Sequence, residues 1–195
     1  MQPLALTLTA TGMDGPDDRA RTVAAAKQGD RAAFELLMRQ HERLVLATAL
    51  RLLGNLPDAQ DAAQEVFLRL FRNLGKVEAS GNLSGWLYRV TVNVCHDQRR
   101  RKPPETAIEA AGAIAAAGDP QCDLTQAERR RVLELSLRHL SPKERAALVL
   151  RDLEGLSTTE VARALGSTET TVRSQISKAR VKVKNFVEQY SRRRS

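Results

Sequence analysis

Aromatic residues and cysteines are scarce in this chain of 195 residues. Only 4% of the residues are Phe, Trp or Tyr although 42% are hydrophobic, so Ala and Leu supply most of the apolar side chains. This balance favours packed helices over a β-sandwich, because strands prefer β-branched and aromatic residues. The two cysteines, Cys95 and Cys122, lack the spacing of a metal site or a disulfide framework. We therefore expect an all-α protein without a metal ion or another cofactor.

Long hydrophobic runs are also missing. No apolar stretch approaches the roughly 18 residues that a membrane-spanning helix requires. The N-terminus lacks the basic region and the continuous apolar stretch of a secretory signal. We expect no membrane span and a cytoplasmic location. At roughly 100–200 residues per domain, the length is sufficient for one domain or two small ones.

The whole chain carries a formal charge of +8, and the positive charge is concentrated in its second half. Residues 1–98 contain 11 basic and 11 acidic residues, whereas residues 128–195 contain 16 basic and 8 acidic residues. Between them, a basic cluster at 99–102 precedes an acidic segment at 103–127. A concentrated basic half is typical of a protein that binds a polyanion. From charge alone, ribosomal, membrane-surface and DNA partners all remain open.

Helical periodicity and its interruptions predict the domain organisation. The segment before residue 20 has no sustained period, and Pro103-Pro104 ends a helical stretch because proline cannot continue the hydrogen-bond ladder. Helical periodicity returns after an Ala-, Gly- and acid-rich segment. We predict two small helical domains joined by a flexible acidic linker. The segments are a disordered tail at 1–19, a first domain at 20–102, the linker at 103–127 and a second domain at 128–195.

The second domain contains a helix-turn-helix pattern in LSTTEVARALGSTETTVRSQISKAR. Ser157 and Glu160 form a capping-box pair, Gly166 makes the turn, and a second helix follows Ser167. That second helix is the element that would enter a DNA major groove. Its outer side carries donors suited to bases and phosphates: Thr170, Arg173, Ser174, Ser177, Lys178 and Lys182. The simpler alternative is an amphipathic helical hairpin with a solvated basic face.

A second helix, DAQDAAQEVFLRLFRNL, places a polar face opposite a bulky apolar face. The polar face comprises Asp58, Asp61, Gln64 and Glu65. The apolar face comprises Phe67, Leu70, Phe71 and Leu74. Acids in a first turn favour the helix macrodipole, which explains Asp58 and Asp61 without a partner. This effect does not explain Gln64 and Glu65, which lie further along the helix. The polar face therefore has two alternative explanations, stabilisation of the helix end and docking of another protein.

A third segment, GNLSGWLYRVTVNVCHDQRRRK, joins a Gly- and Ser-rich loop to a helix with one polar face. Arg89, Asn93, His96 and Arg100 recur at helical spacing along that face. A loop of this kind beside Trp86 could receive single-stranded bases, although Trp86 also fits the role of a core anchor. The basic cluster at the helix end either solubilises it or meets a phosphate backbone.

Four strings in order resemble the two conserved domains of bacterial RNA polymerase sigma factors of the extracytoplasmic-function (ECF) group. They are DAQDAAQEVFLRLF, WLYRVTVN, LSPKERAALVLRDLEGLSTTEVARALG and TVRSQISKAR. The resemblance covers roughly residues 20–102 and 128–187. It implies a sigma factor that binds core RNA polymerase and directs promoter-specific initiation. The chemistry then belongs to the polymerase, so we expect no catalytic residues and no enzyme activity.

The resemblance also assigns roles to particular residues. The polymerase β′ clamp would be bound by Asp58, Asp61, Gln64 and Glu65. The −10 element would be recognised and opened by Asn82, Ser84, Trp86, Arg89, Asn93, Arg99, Arg100 and Arg101. The −35 duplex would be read by Thr170, Arg173, Ser174, Ser177, Lys178 and Lys182. The expected partners are core RNA polymerase (β′ clamp and β subunit), promoter DNA in duplex and single-stranded form, and an anti-sigma protein.

Two other functions are compatible with parts of the sequence. A conventional helix-turn-helix repressor or activator would use its N-terminal domain to bind an effector or to dimerise, and would leave the acidic face without a role. A helical enzyme with a regulatory DNA-binding tail would need a titratable pocket within residues 20–102. Asp58, Asp61 and Glu65 lie along one helix face and look too linear for such a pocket. The three histidines, His41, His96 and His139, are scattered over separate elements.

Overall fold

The computed structural model describes residues 16–77, 82–101 and 124–192, which form eight α-helices and contain no strand. The helices are α1 (Pro16–Lys27), α2 (Arg31–Leu53), α3 (Leu56–Asn73), α4 (Leu83–Arg101), α5 (Leu124–Arg138), α6 (Pro142–Leu148), α7 (Thr158–Leu165) and α8 (Glu169–Arg192). A 3₁₀ turn follows α3 at Leu74–Lys76, and a π-helical turn follows α6 at Val149–Leu153. The predicted all-α class and the helix-turn-helix are confirmed. Most of the predicted linker lies outside the described residues.

Local sequence chemistry determines several helix ends. The Asp30 carboxylate accepts a hydrogen bond from the Ala33 amide at 3.1 Å and caps α2, which ends at Gly54 with a φ of 85°. Ser157 and Glu160 form the predicted capping box at the start of α7. Gly166 ends α7 with a φ of 57°, a left-handed conformation that glycine adopts at little cost.

Three predicted boundaries need correction. Helix α1 begins at Pro16, inside the segment predicted as a disordered tail, because proline is well suited to a first helical position; residues 1–15 lie outside the described part. Helix α3 begins at Leu56, before the string quoted from Asp58, because the Asn55 side chain accepts from the Asp58 amide at 2.9 Å and caps the helix. Helix α5 begins at Leu124, inside the segment predicted as linker.

The N-terminal helical group consists of α1 to α4. Helices α2, α3 and α4 pack against one another in pairs, and α1 lies along α2. The buried side chains between them include Val45, Val66, Leu70 and Leu87, none of which is exposed to solvent. The buried hydroxyl of Thr91 donates to the Leu87 carbonyl at 2.8 Å, so this polar group is satisfied within its own helix.

The C-terminal helical group consists of α5 to α8, with α8 as its longest member. Helices α5, α6 and α7 all pack against α8. Val161, Val172 and Ile176 are buried where α7 crosses α8, as the helix-turn-helix pattern predicted. Tyr190 donates to Glu128 at 2.9 Å and ties α8 to α5.

The two helical groups are in direct contact. Leu52 and Val94 of the first group belong to the same buried apolar cluster as Ala146 and Val149 of the second. Helix α4 also packs against α7, and Tyr88 lies in the cluster that fills the helix-turn-helix. The candidate binding surfaces therefore lie on one packed body.

Candidate protein-docking and nucleic-acid surfaces

The predicted polar face of α3 divides into two pairs of residues. Asp61 and Gln64 are exposed, whereas Asp58 and Glu65 are half-buried. The Asp58 carboxylate accepts from the Asn55 side-chain amide at 3.0 Å, and the Glu65 carboxylate accepts from Arg69 at 2.7 Å. Asp58 thus takes part in the cap of α3, and Asp61 and Gln64 are the members presented most openly to solvent.

Two large apolar side chains lie beside this polar face. Phe71 is 65% exposed and Leu68 is 44% exposed. The predicted apolar face is therefore only partly buried, because Leu70 is fully covered whereas Phe71 is open to solvent. At this end of α3 the ring of Phe71 meets Phe34 edge-on, with ring centroids 5.2 Å apart, and its remaining surface is open. Leu68 was missed, although its spacing of four residues from Gln64 places it on the same face.

A groove of about 750 Å³ runs between α2 and α3 next to these residues. Its apolar lining comprises Phe34, Met38, Leu46, Phe67, Leu68 and Phe71. Its polar lining includes Glu35, Glu42, Gln60 and Gln64. An exposed apolar patch bordered by polar groups is typical of a protein–protein contact. We call Asp61, Gln64, Leu68 and Phe71 with this groove the α3 surface.

The predicted −10 residues at the start of α4 have structural partners. The Asn82 side chain accepts from the Gly85 amide at 2.9 Å and caps the helix. A Cβ at Gly85 would lie 3.3 Å from the Asn82 side chain, a close contact that would require the Asn82 side chain to shift by a few tenths of an ångström. Ser84 and Trp86 are half-buried, and Trp86 packs against the core. Residues 78–81 of the preceding loop lie outside the described part.

The outer face of α4 is polar and open along its length. Arg89, Asn93, His96 and Arg100 are all exposed, as the helical spacing predicted. Arg99 and Arg101 are exposed as well and add two cations at the helix end. This α4 face combines side-chain amide and guanidinium donors, which suit bases and phosphates.

The recognition helix α8 presents the predicted −35 residues to solvent. Thr170, Arg173, Ser174, Ser177 and Lys178 are exposed, and the buried side of the helix is formed by Val172, Ile176 and Ala179. The turn is closed by a hydrogen bond of 2.9 Å from the Ser167 amide to the Ala162 carbonyl. We call these five exposed side chains the α8 surface.

Two of the cations predicted to contact the −35 duplex have carboxylate partners in the structure. Arg173 is 2.6 Å from Glu169, and the Lys182 ammonium group is 2.8 Å from both carboxylate oxygens of Glu144. The Lys182 hydrogen bond is the largest cause of a pKa of Glu144 below its usual range. A phosphate contact by Lys182 would therefore compete with an ion pair that links α8 to α6. This partner was not visible in the sequence, because the two residues are 38 positions apart.

The described residues contain no group of three or more His, Cys, Asp and Glu that could hold a metal ion. Two of the histidines bond to their own helices instead. His41 lies 2.9 Å from the Leu37 carbonyl and His139 lies 3.0 Å from the Leu135 carbonyl. Burial raises the pKa of the Cys95 thiol to about 12, so this side chain stays protonated at neutral pH. None of the described helices is long and apolar enough to cross a membrane.

Two family models match the chain. Sigma-70 region 2 matches residues 37–103, and Sigma-70, region 4 matches residues 130–183. The first match contains the α3 surface and the α4 face, and the second contains the helix-turn-helix. Together the two matches cover more than half of the chain.

Sequence relatives and solved structures agree with these matches. The ECF RNA polymerase sigma factor SigE of Mycolicibacterium smegmatis is 35% identical over 90% of this chain and 70% of its own length. The RNA polymerase sigma-H factor of Pseudomonas aeruginosa is 31% identical over 81% of this chain and 88% of its own length.

Two solved structures share the fold. CnrH, in complex with the cytosolic domain of CnrY, aligns over 88% of this chain and 97% of its own with a TM-score of 0.65 at 24% identity. The sigma factor RpoE of Bartonella quintana, in complex with the anti-sigma factor NepR, aligns over 80% of this chain and 96% of its own with a TM-score of 0.63 at 20% identity. These matches favour a sigma factor over a conventional repressor: the chain belongs to the sigma-70 family of RNA polymerase sigma factors, in its ECF group.

Proposed function

We propose that this sigma factor docks on core RNA polymerase through the α3 surface and recognises promoter DNA through the α4 face and the α8 surface. The observation that carries the proposal is the contrast between these surfaces. The α3 surface combines a carboxylate with two exposed, bulky apolar side chains, Leu68 and Phe71. The α4 face and the α8 surface combine cations with hydroxyl and amide groups. The first chemistry fits a protein and the second fits a nucleic acid.

Polymerase docking would bury the exposed part of Phe71. Aromatic side chains that enter a pocket of the partner contribute most of the binding energy at many interfaces, while surrounding polar groups exclude water and align the partners. Gln64 lies about two helical turns from Phe71 and Asp61 about three turns from it, and both are exposed for such contacts. A complementary partner offers an apolar element with basic side chains beside it, which is the role that the resemblance assigns to the β′ clamp.

The −35 duplex would meet α8 in its major groove. Arg173 can bind guanine with two hydrogen bonds, which discriminates between bases by about 1–3 kcal/mol. In the free protein its guanidinium group is held by Glu169 at 2.6 Å. Because both side chains are exposed enough to be screened by water, exchange of this ion pair for a base contact costs little. Ser174 and Ser177 supply adjacent hydroxyl groups, and Lys178 supplies a phosphate contact.

The −10 element would meet the α4 face. Arg89 and Asn93 lie one turn apart and are exposed, and Arg99, Arg100 and Arg101 follow at the helix end. Side-chain amides read base edges, whereas the terminal arginines bind the phosphate backbone. Asn82 would act mainly by capping α4 and thereby fixing the loop that precedes it. An anti-sigma protein is a further proposed partner, since the fold neighbour RpoE was solved with its anti-sigma factor NepR.

The test uses the purified full chain with bacterial core RNA polymerase and a pool of genomic promoter fragments. A pull-down measures binding, and run-off transcription measures promoter choice. The proposal expects stoichiometric binding and new promoter-specific transcripts that are lost with Asp61→Arg. Glu188→Arg reverses an exposed acidic residue on α8, outside the proposed surfaces, and serves as the matched control. Equal activity of Asp61→Arg and the wild type would overturn the docking surface.

A further inference from the structure

A cleft of about 340 Å³ lies between α4 and the helix-turn-helix. Its lining comes from Leu52 of α2, one side of α4, the start of α6, the turn after α7 and the first turns of α8. Small-molecule sites have volumes of roughly 300–1,000 Å³ and are common where two parts of a chain meet. The volume and the position of this cleft therefore suit a small ligand.

The side chains of this lining that are charged at neutral pH are all basic. Arg99 comes from α4, and Lys143 and Arg145 come from α6. No Asp or Glu of the described residues lines the cleft. We call this cavity the basic cleft, because its cations come from two separate helices and face no carboxylate in the lining.

The acidic neighbours of these cations along the chain are paired elsewhere. Glu144 follows Lys143 directly, but its carboxylate lies 2.8 Å from the Lys182 ammonium group. On α4, Asp97 pairs with Arg69 at 3.9 Å. The basic cleft therefore keeps a positive charge that these carboxylates do not neutralise.

Arg145 is a buried cation with N–H donors left over. It is 2% exposed. Its guanidinium group donates to the Leu137 carbonyl at 2.7 Å and to the Leu52 carbonyl at 2.8 Å. A guanidinium group has more N–H donors than these two bonds use. Arg145 can therefore bind a ligand in the cleft while it keeps both carbonyl contacts.

The electrostatics of Arg145 favour an anion as that ligand. Burial, with a contribution from the positive charges of Arg99 and Arg138, lowers the pKa of Arg145 to about 10. The group is still charged at neutral pH, although its neighbours repel that charge. A bound anion would stabilise it, because a nearby opposite charge favours the ionised form.

Neutral polar side chains complete the lining of the basic cleft. They are Asn93, His96, Ser167, Thr171 and Gln175. Within the described part of the chain, no hydrogen bond engages the side-chain amide of Asn93 or Gln175. Hydroxyl and amide groups of this kind bind phosphate oxygens. The cleft thus offers neutral donors beside its three cations.

This donor set matches linked phosphate groups. Guanidinium groups bind phosphate with two parallel hydrogen bonds, and a lysine adds a point charge. Three cations from two helices suit an anion with several charged oxygens better than a single carboxylate. Apart from His96, the lining contains no ring on which a nucleobase could stack. The recognised chemistry is therefore that of the phosphates alone.

We propose that the basic cleft binds a small oligophosphate, a chain of two or three linked phosphate groups, through Arg99, Lys143 and Arg145. Inorganic oligophosphate and the phosphates of a nucleotide share this chemistry. Ser167 and Gln175 add neutral donors from the other wall of the cleft.

Binding of this anion has a consequence for promoter recognition, which rests on the proposed function. Asn93 and Arg99 line the cleft and also belong to the residues assigned to the −10 element. An oligophosphate in the cleft occupies the same donors as the DNA strand. The two ligands should therefore compete.

The first test is calorimetric titration of the full chain with sodium tripolyphosphate, in buffer without Mg²⁺ and at constant ionic strength. We expect a single saturable site. Arg99→Gln and Lys143→Gln should each weaken binding about tenfold, the loss expected for one charge-assisted hydrogen bond. Arg43→Gln removes an exposed cation of α2 outside the cleft and should bind like the wild type. No saturable binding, or equal weakening by all three variants, would overturn the site.

The second test locates the anion in the folded chain by nuclear magnetic resonance. Tripolyphosphate should shift the backbone amide signals of Gly166 and Ser167, which line the cleft, and leave that of Lys184 unchanged. Since these amides belong to the wild-type protein, no substitution can disturb the result. Shifts spread along Lys178 and Lys184 instead would show diffuse attraction to the basic helix and would contradict the site.

A nucleotide distinguishes the two sources of the phosphates. ATP should bind no more tightly than tripolyphosphate, because the cleft offers no platform for the base. ATP affinity that exceeds tripolyphosphate affinity by about tenfold or more, which corresponds to about 1.4 kcal/mol, would contradict recognition by phosphate alone.

The competition is tested with a labelled single-stranded oligonucleotide that carries the −10 element of a promoter selected by run-off transcription. Tripolyphosphate should displace it from the wild type, and about tenfold more should be needed with Lys143→Gln, because Lys143 lies outside the surfaces assigned to DNA. Simultaneous binding of both ligands would overturn the competition and the assignment of Arg99 to the −10 strand. Calorimetry decides the oligophosphate site independently of that assignment.

Discussion

The α3 and α8 surfaces are both helix faces directed to solvent, yet they differ in what they expose. The α3 surface exposes Phe71 and Leu68 beside one carboxylate and one amide. The α8 surface between Thr170 and Lys178 exposes hydroxyl groups and cations, and its apolar residues Val172 and Ile176 are buried. A helix face that leaves a large ring exposed is suited to another protein, whereas a helix segment that buries its apolar residues, as α8 does between Thr170 and Lys178, is suited to a polar groove.

Charge reversal on the α3 surface is expected to have the largest effect. Asp61→Arg should lower the affinity for core polymerase by at least about 100-fold, because a like charge placed in an interface costs several kcal/mol. Glu65→Arg should have a smaller effect, since Glu65 is already paired with Arg69. Titration of labelled core polymerase measures both, and circular dichroism checks that helicity is retained. A larger loss of polymerase affinity with Glu65→Arg than with Asp61→Arg would show that Glu65, rather than Asp61, is the more important contact.

Substitution of two phenylalanines on α3 distinguishes an effect on polymerase binding from an effect on the stability of the fold. Phe71→Ala should weaken polymerase binding by roughly 30-fold, as expected for an aromatic anchor at an interface, with little loss of stability. Phe67→Ala should instead lower the free energy of unfolding by about 3–5 kcal/mol, because this side chain is buried in the core. Chemical denaturation and polymerase titration of both variants test the contrast. A stable Phe71→Ala variant with unchanged affinity would contradict the docking role.

On the α8 surface, Arg173→Ala should weaken binding to a −35 duplex by about 1–3 kcal/mol of binding free energy. The loss of discrimination between bases should be confined to one base pair of the site. Glu169→Gln should instead strengthen binding to the −35 duplex, because it releases Arg173 from its ion pair. Fluorescence anisotropy with specific and scrambled duplexes measures the difference. Equal losses on both duplexes would show that Arg173 contacts only phosphate.

Two lysines on α8 test which cations reach the phosphates. Lys178 is exposed, and no carboxylate within the described residues pairs with it, whereas Lys182 is held by Glu144. Lys178→Ala should therefore reduce the slope of log affinity against log salt by about one, and Lys182→Ala should reduce it by less. The same salt titration measures both variants. A slope that falls equally with Lys182→Ala would show that this lysine leaves Glu144 on binding.

The smallest expected effect is a pH dependence of the Lys182–Glu144 pair. Because the pKa of Glu144 is lower in the folded chain than its usual value of 4.5, the pair stabilises the fold above that pH. This stabilisation is lost as pH falls through the lowered pKa. Glu144→Gln should thus lower the melting temperature most at pH 7, and by less as the pH falls below 4.5. A difference that stays constant with pH would exclude this ion pair as its source.

Features that depend on neighbouring residues could be predicted from the sequence, and features that depend on distant ones could not. The capping box at Ser157 and the turn at Gly166 were predicted because their partners lie within four residues. Helical spacing likewise predicted the open face of α4. The ion pair of Arg51 with Glu154 joins residues 103 positions apart and leaves no local pattern.

The candidate site shows the same limit. The exposure of Phe71 depends on where α3 ends relative to α2, which periodicity does not specify. The capping role of Asn82 could have been recognised, because Asn is a preferred N-cap residue. Its side chain accepts from the amide of Gly85, three residues further along the chain. The buried Arg145 could not, since its acceptors are carbonyl groups of two other helices.

One crosslinking measurement tests most directly whether the two surfaces have different partners. A photoreactive amino acid is placed at Leu68 in one chain and at Ser177 in another, and each is assembled with core polymerase and promoter DNA. We expect Leu68 to crosslink to a polymerase subunit and Ser177 to crosslink to duplex DNA. A DNA adduct at Leu68, or a polymerase adduct at Ser177, would contradict the division of roles between α3 and α8.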